Sequence, residues 1–236
     1  MLLSSLHNFT SLEHLPQGRK LLVNTVNAWS FVVAQKDDAF ATALQNGDAL
    51  VPDGKSIVWA AQFLGLPNAP KERIAGWDLF VYEMARLSER GGKCFFMGSS
   101  PKVLELIRER AAVDYPNIIV ETYSPPYKAE FSREENKAIV DAINAAEPDL
   151  LWIGMTAPKQ EKWAYEHWNE LQINCHCGTI GAVFDFYAGT VKRAPLWMQK
   201  AGLEWLHRLL SNPKRLWRRY ILGNLEFIHL IIKEKI

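Results

Sequence analysis

Lys93-Cys-Phe-Phe-Met97, the turn Gly98-Ser-Ser-Pro101, the run Val103 to Asp114 and the β-branched segment Asn117 to Glu121 decide the fold. They read as strand, tight turn, helix and second strand, joined by short connections. The same alternation extends in both directions. Upstream lie a strand over Lys20 to Asn27, a helix over Asp37 to Gln45, a strand over Ala49 to Asp53 and a helix over Ser56 to Phe63. Downstream, Ser132 to Ala146 reads as a helix opened by the capping box Ser132-Arg-Glu-Glu135. Asp149 to Ile153 is a strand closed by Gly154-Met-Thr-Ala-Pro158, Lys159 to Leu171 a helix, and Asn174 to Thr179 the last strand. Strands alternating with helices predict an α/β fold, a Rossmann-like, mostly parallel sheet covered by helices. Ligands of such sheets bind beyond the carboxyl ends of the strands. The polar residues there are the candidates: Thr25, Asn27, Asp53, Gly98, Ser99, Thr156, Gln160 and Gly178 to Gly181.

The chain of 236 residues is long enough for one sizeable domain with an appended element. The division expected is residues 1–200 for a catalytic domain and 201–236 for a C-terminal appendage. Net charge is only +1, so no global field favours nucleic acid, yet Lys192 to Arg219 carries eight basic residues against the single acid Glu204. Three cysteines give no disulfide framework, and the N-terminus Met1-Leu-Leu-Ser-Ser-Leu-His7 lacks the basic and apolar regions of a signal peptide. No run of about 18 apolar residues predicts a spanning helix. The compartment expected is cytoplasmic.

Each candidate has two readings. Gly98-Ser99 follows a strand and opens a helix, which suits an anion, or is an ordinary turn. Thr25 and Asn27 share one side of an extended segment, and suit a sugar or diphosphate or simply end a strand. Asp53, between Pro52 and Gly54, is held by a rigid turn where it could serve as general base, or could cap the helix near Ser56. Arg73 suits phosphate oxygens or a surface ion pair. Asp185 belongs to the glycine-rich stretch Gly178 to Gly189, read as a loop approaching a ligand, and either meets that ligand or anchors its own loop. In Cys175-His-Cys177 the cysteines share a strand face and His176 points away, which argues against a metal site. No Asp-x-Asp pair occurs, and no metal or cofactor is expected.

From Pro213 onward, Lys214, Arg215, Arg218 and Arg219 fall on one helical arc, with Leu216, Trp217, Tyr220 and Ile221 opposite. A basic amphipathic helix with an apolar end predicts docking on an anionic membrane surface; packing on the domain's own core and homo-oligomer formation are the alternatives.

Taken together, several pieces resemble the bacterial WecG/TagA/CpsF glycosyltransferase family. They are Asn24-Thr-Val-Asn27, Pro52-Asp-Gly54, Arg73-Ile-Ala-Gly76 with Asp78, Phe95-Phe-Met-Gly-Ser99, and Gly154-x-x-x-Pro-Lys-Gln-Glu161. They continue through Gly178-x-x-Gly181, Phe184-Asp-Phe-x-x-Gly189, Arg193-Ala-Pro195, Gly202-Leu-Glu-Trp205, Arg208, Pro213, Arg215 and Arg218-Arg219, covering roughly residues 20 to 222. Trp29, Trp77 and Cys175-His-Cys177 fall outside that pattern, and Gly223-Asn224 argues against one long appended helix.

The resemblance implies an inverting, metal-independent transfer of a hexose (N-acetylmannosamine, its uronic acid, or glucose) from a UDP-sugar to an undecaprenyl-diphosphate-linked saccharide. It implies a peripheral enzyme on the inner face of the cytoplasmic membrane. Asp53 corresponds to the general base, with Thr25, Asn27, Arg73 and Gln160 lining the pocket. Gly98, Ser99, Lys159, Gly178, Gly181 and Asp185 would meet the UDP-sugar, and Arg193, Arg208, Arg215, Arg218 and Arg219 the lipid diphosphate. A nicotinamide or methyltransferase reading lacks its glycine fingerprint after the first strand. A non-catalytic nucleotide-binding membrane adaptor would not require Asp53.

Overall fold

The computed structural model describes residues 2–6, 12–16, 18–67 and 69–235; Met1 and His7 of the N-terminal reading lie outside them. Its centre is a six-stranded sheet built from β1 (Leu21–Val26), β2 (Ala49–Pro52), β3 (Gly92–Gly98), β4 (Ile118–Tyr123), β5 (Leu150–Gly154) and β6 (His176–Thr179). The spatial order is β2-β1-β6-β5-β3-β4, with every pairing parallel. The strands are apolar almost throughout because both faces are covered. In β3 and β5, Cys94, Phe96, Leu150 and Trp152 turn to one core, and Phe95, Met97, Leu151 and Ile153 to the other.

The first core is closed by α4 (Gly76–Arg90), α5 (Pro101–Asp114) and α8 (Ala182–Tyr187) through Phe80, Ile107 and Phe184. The opposite face is covered by α6 (Arg133–Ala146) and α7 (Lys159–Glu166), with Ile143 and Trp163 packing inward. Beside them lie α1 (Ala28–Ala34), α2 (Asp38–Gln45) and α3 (Lys55–Leu64), which bury Phe31, Phe40 and Ile57. The capping box at Ser132 forms: its hydroxyl accepts from Glu135 N at 3.3 Å, and Glu135 Oε2 accepts from Ser132 N at 2.6 Å.

Three local readings change. Residues 28–34 form α1 directly after β1, capped by Asn27; the run is too apolar on all sides to show a helical stripe. The helix from Lys159 ends at Glu166, where His167 turns onto the Trp163 ring at 5.0 Å and pairs with Glu170 at 2.8 Å. The glycine-rich stretch is no open loop, since it contains the end of β6 and all of α8.

The boundary expected at residue 200 falls inside α9 (Leu196–Ala201); beyond it lie α10 (Glu204–Ser211), α11 (Pro213–Trp217), a π-helical turn over Arg218–Leu222 and α12 (Gly223–Lys235). Helix runs unbroken from Pro213 to Lys235, contrary to the interruption expected at Gly223. Gly223 itself is helical (φ −62°, ψ −38°), and its missing side chain leaves room for the ring of Trp29. Phe227 and Ile231 of α12 join the core beneath α1, with Phe227 edge-on to Phe31 at 5.3 Å.

Candidate active site

The strand order places β2 on one side of β1 and every later strand on the other. The strand order reverses at β1, and a crevice opens at its carboxyl end, as in doubly wound sheets generally. Asp53 stands there. Its N–H donates to Val26 O at 2.8 Å, and Ile74 N donates to Pro52 O at 3.0 Å, so the ends of β1 and β2 meet the loop carrying Arg73. Gly54 follows at φ 136°, a backbone state that a side chain resists, which fixes the direction of the turn. No side chain caps α3, so the capping reading of Asp53 does not hold.

The Asp53 carboxylate makes no hydrogen bond or ion pair among the described residues and keeps part of its surface open. Its pKa is pushed up to about 6, chiefly by burial and next by the negative charge of Glu204, with Arg208, Arg73 and Arg219 opposing. An unpaired carboxylate of raised basicity, ringed by arginines it does not touch, is equipped to take a proton beside an anionic substrate.

The arginines come from four places. Arg73 Nη1 donates to Glu204 Oε2 at 3.1 Å, and Arg193 Nη2 lies 3.5 Å from Glu204 Oε1. Arg193 also lies over Trp77, 4.8 Å from the ring centroid, which gives that tryptophan its place. Arg208 of α10 lies over Phe186 at 5.5 Å. Arg219, within the π-helical turn, is half-buried. Burial lowers its pKa, with Tyr220 and Asp53 among the opposing influences, and its Nε has no partner. The four tail cations expected on one arc thus differ in exposure, with Arg219 at the edge of the arc and half-buried. Lys214, Arg215 and Arg218 remain exposed outside the crevice.

Thr25, at the end of β1, is nearly buried opposite Val51. The Asn27 amide oxygen accepts from Ser30 N at 3.1 Å as the cap of α1. Gln160 is buried: its Oε1 accepts from Met155 N at 3.1 Å and Gly181 N at 3.2 Å, tying together the loops after β5 and β6. Its Nε2 donates to Glu161 Oε1 at 2.8 Å. Glu161 was missed as a site residue although it closes the Pro-Lys-Gln-Glu motif. Burial pushes its pKa up to about 7 against the pull of Gln160 and Arg219, and its Oε2 is unpartnered.

Other candidates have local duties. A side chain at Gly98 would collide with the Gly154 backbone, and Ser100, not Ser99, caps α5. A side chain at Gly178 would enter the Trp152 ring, so packing accounts for that glycine. Lys159 Nζ donates to Lys128 O at 2.6 Å and sits over Phe131, away from the arginine ring. Asp185 accepts from Thr190 Oγ1 at 3.2 Å, anchoring its own loop. Asp78 accepts from Ala75 N at 2.9 Å and so secures the turn between Arg73 and α4.

The sequence-family model described as Glycosyl transferase WecG/TagA/CpsF family matches residues 6–236. The chain belongs to this family. Two relatives are each named N-acetylglucosaminyldiphosphoundecaprenol N-acetyl-beta-D-mannosaminyltransferase. That of Bacillus spizizenii (strain ATCC 23059 / NRRL B-14472 / W23) is 29% identical over 219 residues, 93% of this chain and 82% of the relative. That of Bacillus subtilis (strain 168) is 28% identical, with the same coverage. This WecG/TagA/CpsF glycosyltransferase also has, beside Arg73, a cavity of about 530 Å³ whose lining includes Lys55, Trp59, Lys71, Leu196 and Lys200. Along its tail, Trp217, Ile221, Leu225, Ile228 and Ile232 form an exposed apolar stripe at helical spacing. Trp59, Phe63, Leu196 and Trp197 are exposed as well, and Lys235 at the end of the tail lies over the Phe63 ring at 5.6 Å. No helix among the described residues is long and apolar enough to cross a membrane.

Proposed function

We propose that this glycosyltransferase moves N-acetylmannosamine from its UDP derivative onto a saccharide linked to undecaprenyl diphosphate, with inversion and without a metal ion. The observation that carries the reading is the unpaired Asp53 carboxylate among Arg73, Arg208 and Arg219. The relatives' names support this sugar over its uronic acid or glucose.

In the reaction the acceptor hydroxyl oxygen attacks the anomeric carbon from the face opposite UDP. The bond from that carbon to the diphosphate oxygen breaks, UDP leaves with its electron pair, and Asp53 takes the hydroxyl proton. At pH 7 a carboxyl with a pKa near 6 is mostly ionised yet more basic than an ordinary aspartate. The arginines supply the fixed positive charge that the departing diphosphate needs. Gln160, braced by Glu161, ties together the loops after β5 and β6. The basic cavity lined by Lys55, Lys71 and Lys200 suits the acceptor's own diphosphate, and the exposed apolar stripe with Lys214, Arg215 and Arg218 rests the protein on the membrane that contains the lipid.

The test is UDP release from UDP-N-acetylmannosamine, its uronic acid and UDP-glucose, with a short-chain N-acetylglucosamine diphosphate lipid and excess EDTA. Acceptor-dependent release from the first donor is the expected result. Strict rescue by Mn²⁺ or Mg²⁺ contradicts the metal-free chemistry, and UDP binding with no turnover favours the adaptor.

A further inference from the structure

Glu204 is the one acid between Lys192 and Arg219. It opens α10 in the appendage, but its carboxylate reaches back across 131 residues of sequence to the loop beside Asp53. One oxygen accepts from Arg73 at 3.1 Å and the other faces Arg193 at 3.5 Å; the three side chains are only 19–20% exposed. Each oxygen therefore engages a different guanidinium, and Arg193 is further held over the Trp77 ring. Such partly desolvated, charge-assisted contacts are stronger than surface ion pairs.

The consequence concerns Asp53. Four charged groups act on it: Glu204 and Arg208 from α10, Arg73 from the loop before α4, and Arg219 from the π-helical turn, beyond which Glu161 faces Arg219. Three of the four are arginines, yet Asp53 forms an ion pair with none of them among the described residues. Arg73 is tethered to the strand end that carries Asp53, through the Ile74–Pro52 hydrogen bond. Its side chain is turned instead to Glu204. A guanidinium released from that contact would still act on Asp53, and pairing there would occupy the lone pairs that a base must offer. Arg73 donates through one nitrogen, so the remainder of its fork stays available to a phosphate oxygen.

We propose that Glu204 is a positioning residue: by holding Arg73 and Arg193 it keeps the Asp53 carboxylate unpaired and available as base, and so makes the competent site depend on the seating of the appendage. This rests on the reading of Asp53 as the base, and the test separates the two. The probe is the pH titration of the Asp53 carboxyl ¹³C resonance in the full chain, which needs no substrate, alongside the acid limb of kcat/KM. Glu204→Gln removes the like charge and frees Arg73, and both the resonance and the limb are expected to move to lower pH by about one unit, the scale of a single close charge on a carboxylate. Transfer should fall by about 10- to 100-fold, with UDP affinity little changed. A merely structural role for Glu204 would lower activity without moving either midpoint, and unmoved midpoints overturn the proposal. If Glu204→Gln does not fold, Glu204→Asp gives the same reading: retracting the carboxylate from both arginines should move the midpoints in the same direction by less, and no movement again overturns it. A fully active Asp53→Asn beside a shifted Asp53 titration would instead overturn the base assignment and leave the Glu204 contact standing.

Discussion

The ring of Trp29 fills the space that a side chain at residue 223 would occupy: a Cβ on Gly223 would stand 2.6 Å from Trp29 Cε3. Two residues outside the family pattern thus share one purpose, seating the tail helix on α1. Gly223→Ala should force the two helices apart and cost about 1–3 kcal/mol, as overpacking does elsewhere. Thermal unfolding and limited proteolysis of the tail measure it. An unchanged melting temperature with an equally protected tail would show that the Trp29 contact does not secure the appendage.

At the opposite end of the sheet, Glu83 is buried between His176, whose Nδ1 is 2.8 Å away, and Arg86 at 2.5 Å. Burial alone would raise the Glu83 pKa, but the hydrogen bonds and charges of His176 and Arg86 prevail and hold it below the usual value. A depressed folded pKa stabilises above the unfolded value, near 4.3, and that contribution disappears as pH falls through the folded one. Glu83→Gln should therefore destabilise by about 3 kcal/mol at pH 7, the scale for breaking a buried pair. The deficit should shrink on acidification below about pH 4.3. Urea unfolding of both proteins across that range checks this; a deficit independent of pH would assign the loss to packing.

The tail cations should separate by function. Lys214, Arg215 and Arg218 to Ala together are expected to weaken sedimentation with anionic vesicles by about 3 kcal/mol at low salt, at roughly 1 kcal/mol per cation. High salt should erase the difference from wild type. Arg219→Ala, removing a half-buried residue, should sediment like wild type and lose turnover. Equal sedimentation of the triple variant and wild type would make the exposed cations folding or oligomer contacts.

Much of the sheet was legible because strands buried on both faces write themselves as short apolar runs. The turn residues Gly98, Pro101 and Gly154 then mark where each run stops. Asp53 stood out through Pro52 and Gly54, which constrain the chain whatever surrounds it. Helix α1 was hidden because burial around most of its surface leaves no polar stripe. Arg219 sits at the edge of the cationic arc, and a helical wheel does not say which edge the rest of the fold covers. The partnership of Glu204 with Arg73 and Arg193 joins segments remote in sequence, and no local pattern announces it. Gly178 misled because a glycine demanded by the Trp152 ring looks the same in sequence as one demanded by a ligand.

The proposed mechanism assigns the proton transfer to Asp53. Turnover of Asp53→Asn, measured with the lipid-diphosphate acceptor and paired with calorimetric UDP binding, tests this directly. Loss of a general base predicts a fall in transfer of about 100- to 10,000-fold with UDP affinity nearly intact. Wild-type protein should lose kcat/KM as pH falls below about 6, the pKa to which burial and Glu204 raise this carboxyl. Near-wild-type turnover in Asp53→Asn would contradict the mechanism, because no proton acceptor would then be needed at the end of β2.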